Sequence, residues 1–411
     1  MYCPAPIVSC VACLALAVAS TSSFGATYSY SVLVNFDGTN GSNPISLALD
    51  SAGNLYGCTE GPNGGTVFEV AAGTNTLSTI SSPATYGSAS PNNLVVDSAG
   101  NLFGVSQGGA NGKGTVFEIA AGSRTFTTLI NFNGTNGSTP SGLTIDSSGN
   151  LYGSTLGGGV NNKGTVFEIA AGAHTFSTLA SFNGTNGSSP TGEIAVDSLG
   201  NIYGSTESGG NNNDGVVFKV AAGTHALTAL ANISQTGDAS AFTQGGVILG
   251  ADGNLYGITT GNTTNPNYGT FFKVSTNSGN LTVLGTLDRT NGDSPFSAPI
   301  IDSAGNFVGA ANDGGLYSSG TIYQFDSGTY ALSSIHQFNR TDPFGSIPYA
   351  QLVMDAHGNI YGTTIDGGLY DQGTIFKLTV VPEASSILLS CGVVVVFAGG
   401  FVRRRFCGMT R

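Results

Sequence analysis

One eight-residue pattern, Asp146-Ser147-Ser148-Gly149-Asn150-Leu151-Tyr152-Gly153 in its third copy, occurs seven times and leaves few folds open to the chain. Its asparagines are Asn54, Asn101, Asn150, Asn201, Asn254, Asn306 and Asn359, at intervals of 47 to 53 residues. A period of roughly 50 residues marks a repeat architecture. Within each copy two short apolar runs flank four turn formers, which is how a β-hairpin reads. Asp146 can accept backbone N–H groups across such a turn, and Gly149 can take the positive φ the turn needs. The aspartates are therefore turn residues first. Gly250 replaces Asp in the fifth copy, and the hairpin pattern around Asn254 continues regardless.

Four strand-like runs fill the third repeat, at 142–146, 150–155, 164–170 and 175–182. Four short antiparallel strands per repeat make a propeller blade. The third run recurs as Thr115-Val116-Phe117-Glu118-Ile119 and Thr374-Ile375-Phe376-Lys377-Leu378, alternating between two faces as a strand half buried against its neighbour should. How the repeats are cut decides between an open and a closed array. Residues 29–41 match 175–187, a fourth strand with no blade ahead of it, whereas Lys377-Leu378-Thr379 ends the seventh repeat without one. Pairing the two hides both sheet edges. The expected fold is all-β, a seven-bladed β-propeller over residues 27–381 with the N-terminal strand completing the last blade.

The repeat elements Gly-Asn-Leu-Tyr-Gly, a Gly-Gly loop and Gly-Thr-Val-Phe-Glu resemble the GloVer tandem repeats of "choice-of-anchor" surface proteins. The resemblance covers almost the whole chain between its ends. It implies an exported, surface-associated protein and carries no assigned activity. A more distant likeness to NHL and kelch blades lacks the kelch tryptophan.

The two ends read as export signals. Residues 1–26 hold an apolar run from Ile7 to Ala19 and no charged side chain, so a secretory signal peptide is expected. Residues 382–411 open with Pro382 and Glu383, continue in an apolar span at 387–402, and then carry Arg403, Arg404 and Arg405. This order resembles the PEP-CTERM sorting tail of exported proteins in exosortase-bearing Gram-negative bacteria, with Ala384 in place of the usual second proline. The resemblance implies an exosortase-type processing enzyme as partner. It also implies transient anchoring in the inner membrane through the tail, then display at the cell surface or in the extracellular matrix. The arginines after the span would keep the tail's end cytoplasmic and the repeats outside. Cys58 is the one cysteine between the two ends, so no disulfide framework is available. Without its ends the chain keeps 23 acidic and 8 basic residues, a net charge of −15. Such a surface disfavours nucleic acid and anionic membranes as partners.

Propeller loops before the first strand and between the second and third open on one face; in the third repeat these are 133–140 and 156–163. They are rich in amides and hydroxyls, including Asn161 and Asn162, with Tyr268, Tyr317 and Tyr370 available to stack on sugar rings. Extracellular polysaccharide is the leading ligand expectation. No cofactor is expected except calcium, for which Asp37 and Asn40 crowd oxygen atoms around one glycine turn. For catalysis, Glu60, Glu207, Asp313 and Asp366 fall near the same loops, and a carboxylate pair there would suit glycoside cleavage. The four histidines are scattered, and no nucleotide loop, zinc motif or nucleophile elbow occurs. The chain thus reads as an exported surface propeller for non-catalytic binding, adhesion or matrix display. A propeller glycoside hydrolase or lyase is the rival reading, and a passive surface spacer the third.

Overall fold

The computed structural model describes residues 27–61, 64–81, 90–233, 243–261, 268–341 and 343–381. The expected signal peptide and the sorting residues Pro382, Glu383, Arg403, Arg404 and Arg405 lie outside these. Twenty-nine strands, numbered β1 to β29 along the chain, form seven antiparallel sheets. The third blade shows the plan: β10 (Ser138–Ile145), β11 (Leu151–Gly157), β12 (Thr165–Ile169) and β13 (Phe176–Ser181) pair in chain order.

Alternation along these strands supplies two faces, and each face packs on a different neighbour. Tyr152 and Val166 join Ile194, Ile202 and Phe218 of the fourth blade in one apolar cluster. Leu151, Phe167 and Ile169 join Phe103, Val105 and Val116 of the second in another. Seven such clusters serve seven blade interfaces. The strand core is therefore buried on both faces, a fuller burial than alternation alone suggested. The glycine of Leu-Tyr-Gly belongs to this packing. A Cβ on Gly153 would lie 2.3 Å from Cζ of Phe167, so the ring occupies the space that the missing side chain leaves.

The ring closes as expected. β1 (Thr27–Asn35) lies beside β29 (Thr374–Val381), which pairs with β28 (Ile360–Asp366), and Val34 and Phe36 share a cluster with Leu47, Leu55 and Ile375. Tyr30 of β1 also stacks on His336 of the sixth blade, with ring centroids 3.9 Å apart.

The first strand of each blade departs from its expected limits. β10 begins at Ser138, four residues before the apolar run, and bulges between Pro140 and Leu143. Glycine and proline made residues 137–140 read as loop, but they serve an inter-blade clamp. Thr139 adopts φ 57°, and its N–H donates to the Lys113 carbonyl of the preceding blade at 2.7 Å. Asn43, Ser189, Ser294 and Ile347, each just before a proline, share the positive φ and the same kind of bond. For β-branched Thr139 and Ile347 that conformation is strained, and the clamp holds it.

Candidate functional site

The first strands of successive blades pack side by side around the axis of the ring. They surround an open cavity of about 440 Å3 bordered by residues of all seven blades. Its wall is mostly polar: Asn92, Gln107, Gln244 and Gln351 supply amides. Phe296 and Tyr349 supply an aromatic pair with centroids 5.9 Å apart and planes at 43°. Two carboxyl groups complete it, Glu193 and Glu207.

Glu193 occupies a place that blades one to three lack. From the strand's proline to the turn's first residue the chain runs Pro44 to Asp50, Pro91 to Asp97 and Pro140 to Asp146 in blades one to three. Blades four, six and seven need one residue more, Pro190 to Asp197, Pro295 to Asp302 and Pro348 to Asp355. In β14 (Ser188–Val196) this lengthens the bulge, so that three residues between Thr191 and Ala195 face one residue of β15 (Ile202–Ser208). The backbone of Glu193 bridges to Gly246 of the next blade, where a Cβ would come within 2.2 Å of the Glu193 carbonyl. Glu193 is part-buried and borders both the 440 Å3 cavity and a second space of about 710 Å3 toward the hairpin turns of blades three and four. Desolvation pushes its carboxyl up to about 8, and burial raises Glu207 as well. Among the described residues neither carboxyl makes a hydrogen bond or ion pair, and no Lys, Arg or His borders either space.

The other carboxylates singled out from sequence are dispersed. Glu60 borders a small separate pocket with Ser42 and Gln372, Asp366 pairs with Arg340 at 3.7 Å, and exposed Asp313 bridges by its backbone to Asp293. Of the four, Glu207 alone borders the central cavity. Glu193 was missed because it reads as one more polar residue in a strand. The signal available was the extra residue itself.

The loop face carries a second departure from the repeat. In blades two and three Asn111 and Asn161 donate their side-chain N–H to the carbonyls of Phe132 and Phe182, at 2.9 and 3.0 Å. Asn162 takes φ 53° and accepts the N–H of Gly158 at 3.0 Å. Both amides therefore hold their own loop. Tyr317 and Tyr370 stand at the position of Asn111 and Asn161 in blades six and seven, yet the loop frame persists. Leu316 and Leu369 donate their N–H to Gln337 Oε1 (2.8 Å) and Asn35 Oδ1 (2.9 Å), as Ala110 does to Asn131 Oδ1 (3.1 Å). The tyrosines are 51% and 59% exposed. Five of the ten exposed large apolar side chains among the described residues lie on this face of blades six and seven: Leu316, Tyr317, Phe344, Leu369 and Tyr370. Tyr268 instead packs against the core between blades five and six.

The family model described as the Gloeobacter/Verrucomicrobia repeat matches residues 20–198, 106–315 and 192–395, overlapping segments that together span most of the chain. The chain belongs to this family. A search of curated proteins finds no match. Among solved structures, this repeat propeller is similar to a streptogramin B lyase at a TM-score of 0.59 and 14% identity, covering 86% of this chain and 98% of that one. The extracellular domain of a hybrid two-component system from B. thetaiotaomicron gives 0.58 at 10% identity, over 85% and 40%. Oligogalacturonate lyase from Vibrio parahaemolyticus gives 0.57 at 7%, over 87% and 98%. Identities this low speak for the fold alone.

On the opposite face, the repeat's signature residues are consumed by turn chemistry. Asp146 Oδ1 accepts the N–H groups of Ser148 (2.8 Å) and Asn150 (2.9 Å). Its Oδ2 accepts Asn150 Nδ2 (2.9 Å) and the Tyr152 hydroxyl (3.4 Å). Asn150 Oδ1 in turn accepts the N–H of Ala171, tying one turn to the next. In blade five, Asp252 replaces the missing aspartate, accepting Asn254 Nδ2 at 2.6 Å and the Tyr256 hydroxyl at 2.8 Å. The calcium candidates behave alike. Asp37 Oδ1 accepts Thr39 N, Thr39 Oγ1 and Asn40 N at 2.8–3.0 Å, and Asn40 Oδ1 accepts Asp37 N. Asn133 and Asn183 make the same set of bonds in their own loops. Among the described residues no three His, Cys, Asp or Glu side chains gather where a metal could be held.

Proposed function

We propose that this propeller is exported, displayed at the surface of a Gram-negative cell, and binds neutral polysaccharide there without cleaving it. One observation carries the reading: Tyr317 and Tyr370 of blades six and seven replace asparagines that hold the loop in blades two and three, and with Leu316 and Leu369 beside them they stand exposed on a face rich in amides. Exposed aromatic rings with adjacent hydrogen-bonding groups suit sugar rings, whose apolar faces stack while their hydroxyls bond. Large apolar side chains gathered on one face of a soluble domain mark an interaction site more often than chance exposure. The dispersal of Glu60, Asp313 and Asp366 supports a binding role over catalysis by those groups. Processing of the tail by an exosortase-type enzyme remains part of this proposal.

The ring closes within residues 27–381, so that segment is the reagent. It would be titrated against an array of bacterial and environmental polysaccharides, with calcium and with chelator, while the same glycans are assayed for cleavage. Saturable binding, lost in the double variant Tyr317→Asn and Tyr370→Asn, is the expected result. That variant restores the asparagine of blades two and three, so its thermal midpoint should hold or rise. Cleavage, or binding indifferent to both tyrosines, would overturn the reading.

A further inference from the structure

Blades six and seven depart from the repeat together, and in more than their tyrosines. Asp-Gly-Gly-Leu-Tyr occurs at 313–317 and at 366–370 and nowhere else in the chain. In the loop ahead of each first strand stands an arginine, Arg289 or Arg340, where blades one, three and four have Gly38, Gly134 and Gly184. The loop does not need it. Thr290 and Thr341 donate their hydroxyls to Asp288 and Asn339 at 2.6 and 2.9 Å, as Thr135 does to Asn133 at 2.7 Å. Backbone pairing brings the arginine beside the Leu-Tyr segment: Gly315 donates its N–H to the Arg289 carbonyl at 2.8 Å, as Gly159 does to that of Gly134 at 2.9 Å. In blade seven Arg340 Nη2 lies 3.7 Å from Asp366 Oδ2, with 63% and 42% of the two side chains exposed. So open a pair adds little to stability. What it offers is a donor and an acceptor side by side, without net charge, next to an exposed ring. Adjacent hydroxyls of a sugar match that arrangement, one accepting from the guanidinium and the other donating to the carboxylate, while the sugar's apolar face lies on the tyrosine.

Two such units on neighbouring blades of one ring, facing the same side, suit a ligand that repeats as well. We infer that blades six and seven form one divided site that holds two residues of a single polysaccharide chain, each through a pair of adjacent hydroxyls. A site so divided presupposes the polysaccharide reading above and narrows the ligand to chains whose internal residues keep two adjacent free hydroxyls. Chains linked 1,4 or 1,6 keep them, and chains linked 1,3 do not.

Binding to residues 27–381 is measured by equilibrium dialysis with three pairs of probes: xylobiose and soluble xylan, isomaltose and dextran, laminaribiose and laminarin. Each disaccharide fills one unit, whereas a long chain engages both. Xylan or dextran should therefore bind on the order of a hundredfold tighter than its disaccharide, the gain expected when the second contact becomes intramolecular. Laminarin, linked 1,3, should gain nothing over laminaribiose. Tyr317→Asn and Tyr370→Asn, made singly, should each abolish the polymer's gain and keep the wild-type thermal midpoint, because each restores the asparagine of blades two and three. Arg340→Gly, which restores the residue of blades three and four, should reduce the gain on the order of tenfold. Absence of binding to these probes and to every glycan of the array would overturn the polysaccharide reading and the divided site together. Tyrosine-dependent binding on the array overturns the divided site alone if neither xylan nor dextran gains over its disaccharide, if the gain survives either single substitution, or if laminarin gains equally.

Discussion

Replacing Glu193 by Gln should make the protein more stable at alkaline pH and leave it unchanged at pH 5. In the folded chain the carboxyl is raised by desolvation to about 8 from an ordinary 4.5. Below pH 4.5 both folded and unfolded chains hold the proton, and Glu193 imposes no penalty. Between 4.5 and 8 the unfolded chain has released it while the folded chain keeps it, so stability falls as pH rises; above about 8 the loss is complete. With about 1.4 kcal/mol per pH unit the full penalty would be about 5 kcal/mol. The side chain borders an open cavity, and solvent there should reduce it to about 2–3 kcal/mol. Glutamine has nearly the same shape and cannot ionise. Urea unfolding of residues 27–381, wild type and Glu193→Gln, at pH 5, 7 and 9 reads this directly. The variant's advantage should be near zero at pH 5 and reach its full size by pH 9. An advantage independent of pH would refute the reasoning, since it would make Glu193 a packing residue whose proton plays no part.

Three further outcomes follow from the turn chemistry and the core. Asp197→Ala removes the acceptor of Leu199 N, Asn201 N, Asn201 Nδ2 and the Tyr203 hydroxyl, and should cost about 1–3 kcal/mol in urea unfolding. Asp146, Asp197, Asp252 and Asp355 all sit below their ordinary pKa; partial burial, the largest single influence, works the other way, and the hydrogen bonds together outweigh it. Their contribution is present above pH 3.8 and lost as pH falls through the lower folded values, so an acid-unfolding titration should break below pH 4. Asp37→Asn should leave the urea midpoint unchanged in the same assay, because Asn133 and Asn183 already make that turn. Cys58 is fully buried and its thiol is pushed up by desolvation, so a thiol reagent should label it at the rate of unfolding and no faster.

The period of the repeat made the ring legible, and the surplus strand at one end with its deficit at the other made the closure legible. Turn chemistry was legible too, because Asp, Gly and Asn at fixed offsets have few other uses. What sequence could not display was the function of the residues before each proline. Gly137 to Pro140 carries every local mark of a loop, and only the neighbouring blade's Lys113 carbonyl makes it strand and clamp. Nor could the alternation in Thr165–Ile169 show that both faces would be covered, since that depends on closure around the whole ring.

The candidate sites follow a related logic. A residue found in every blade has the same neighbours in every blade, and here those neighbours account for its chemistry: Asp146 and Asn150 exhaust their oxygens on the turn, and Gly153 yields its volume to Phe167. The copies that disagree have no such account. Tyr317 and Tyr370 give up a bond that Asn111 and Asn161 make, and Glu193 adds a residue to the wall of the axial cavity that Glu207 also borders. Exposed rings and unpaired carboxyls both cost stability, and neither is needed to hold a loop or a strand that other blades build without them. In a repeat protein, comparing the copies with one another therefore separates what the ring requires from what it carries, and it directs the first ligand tests to blades six and seven.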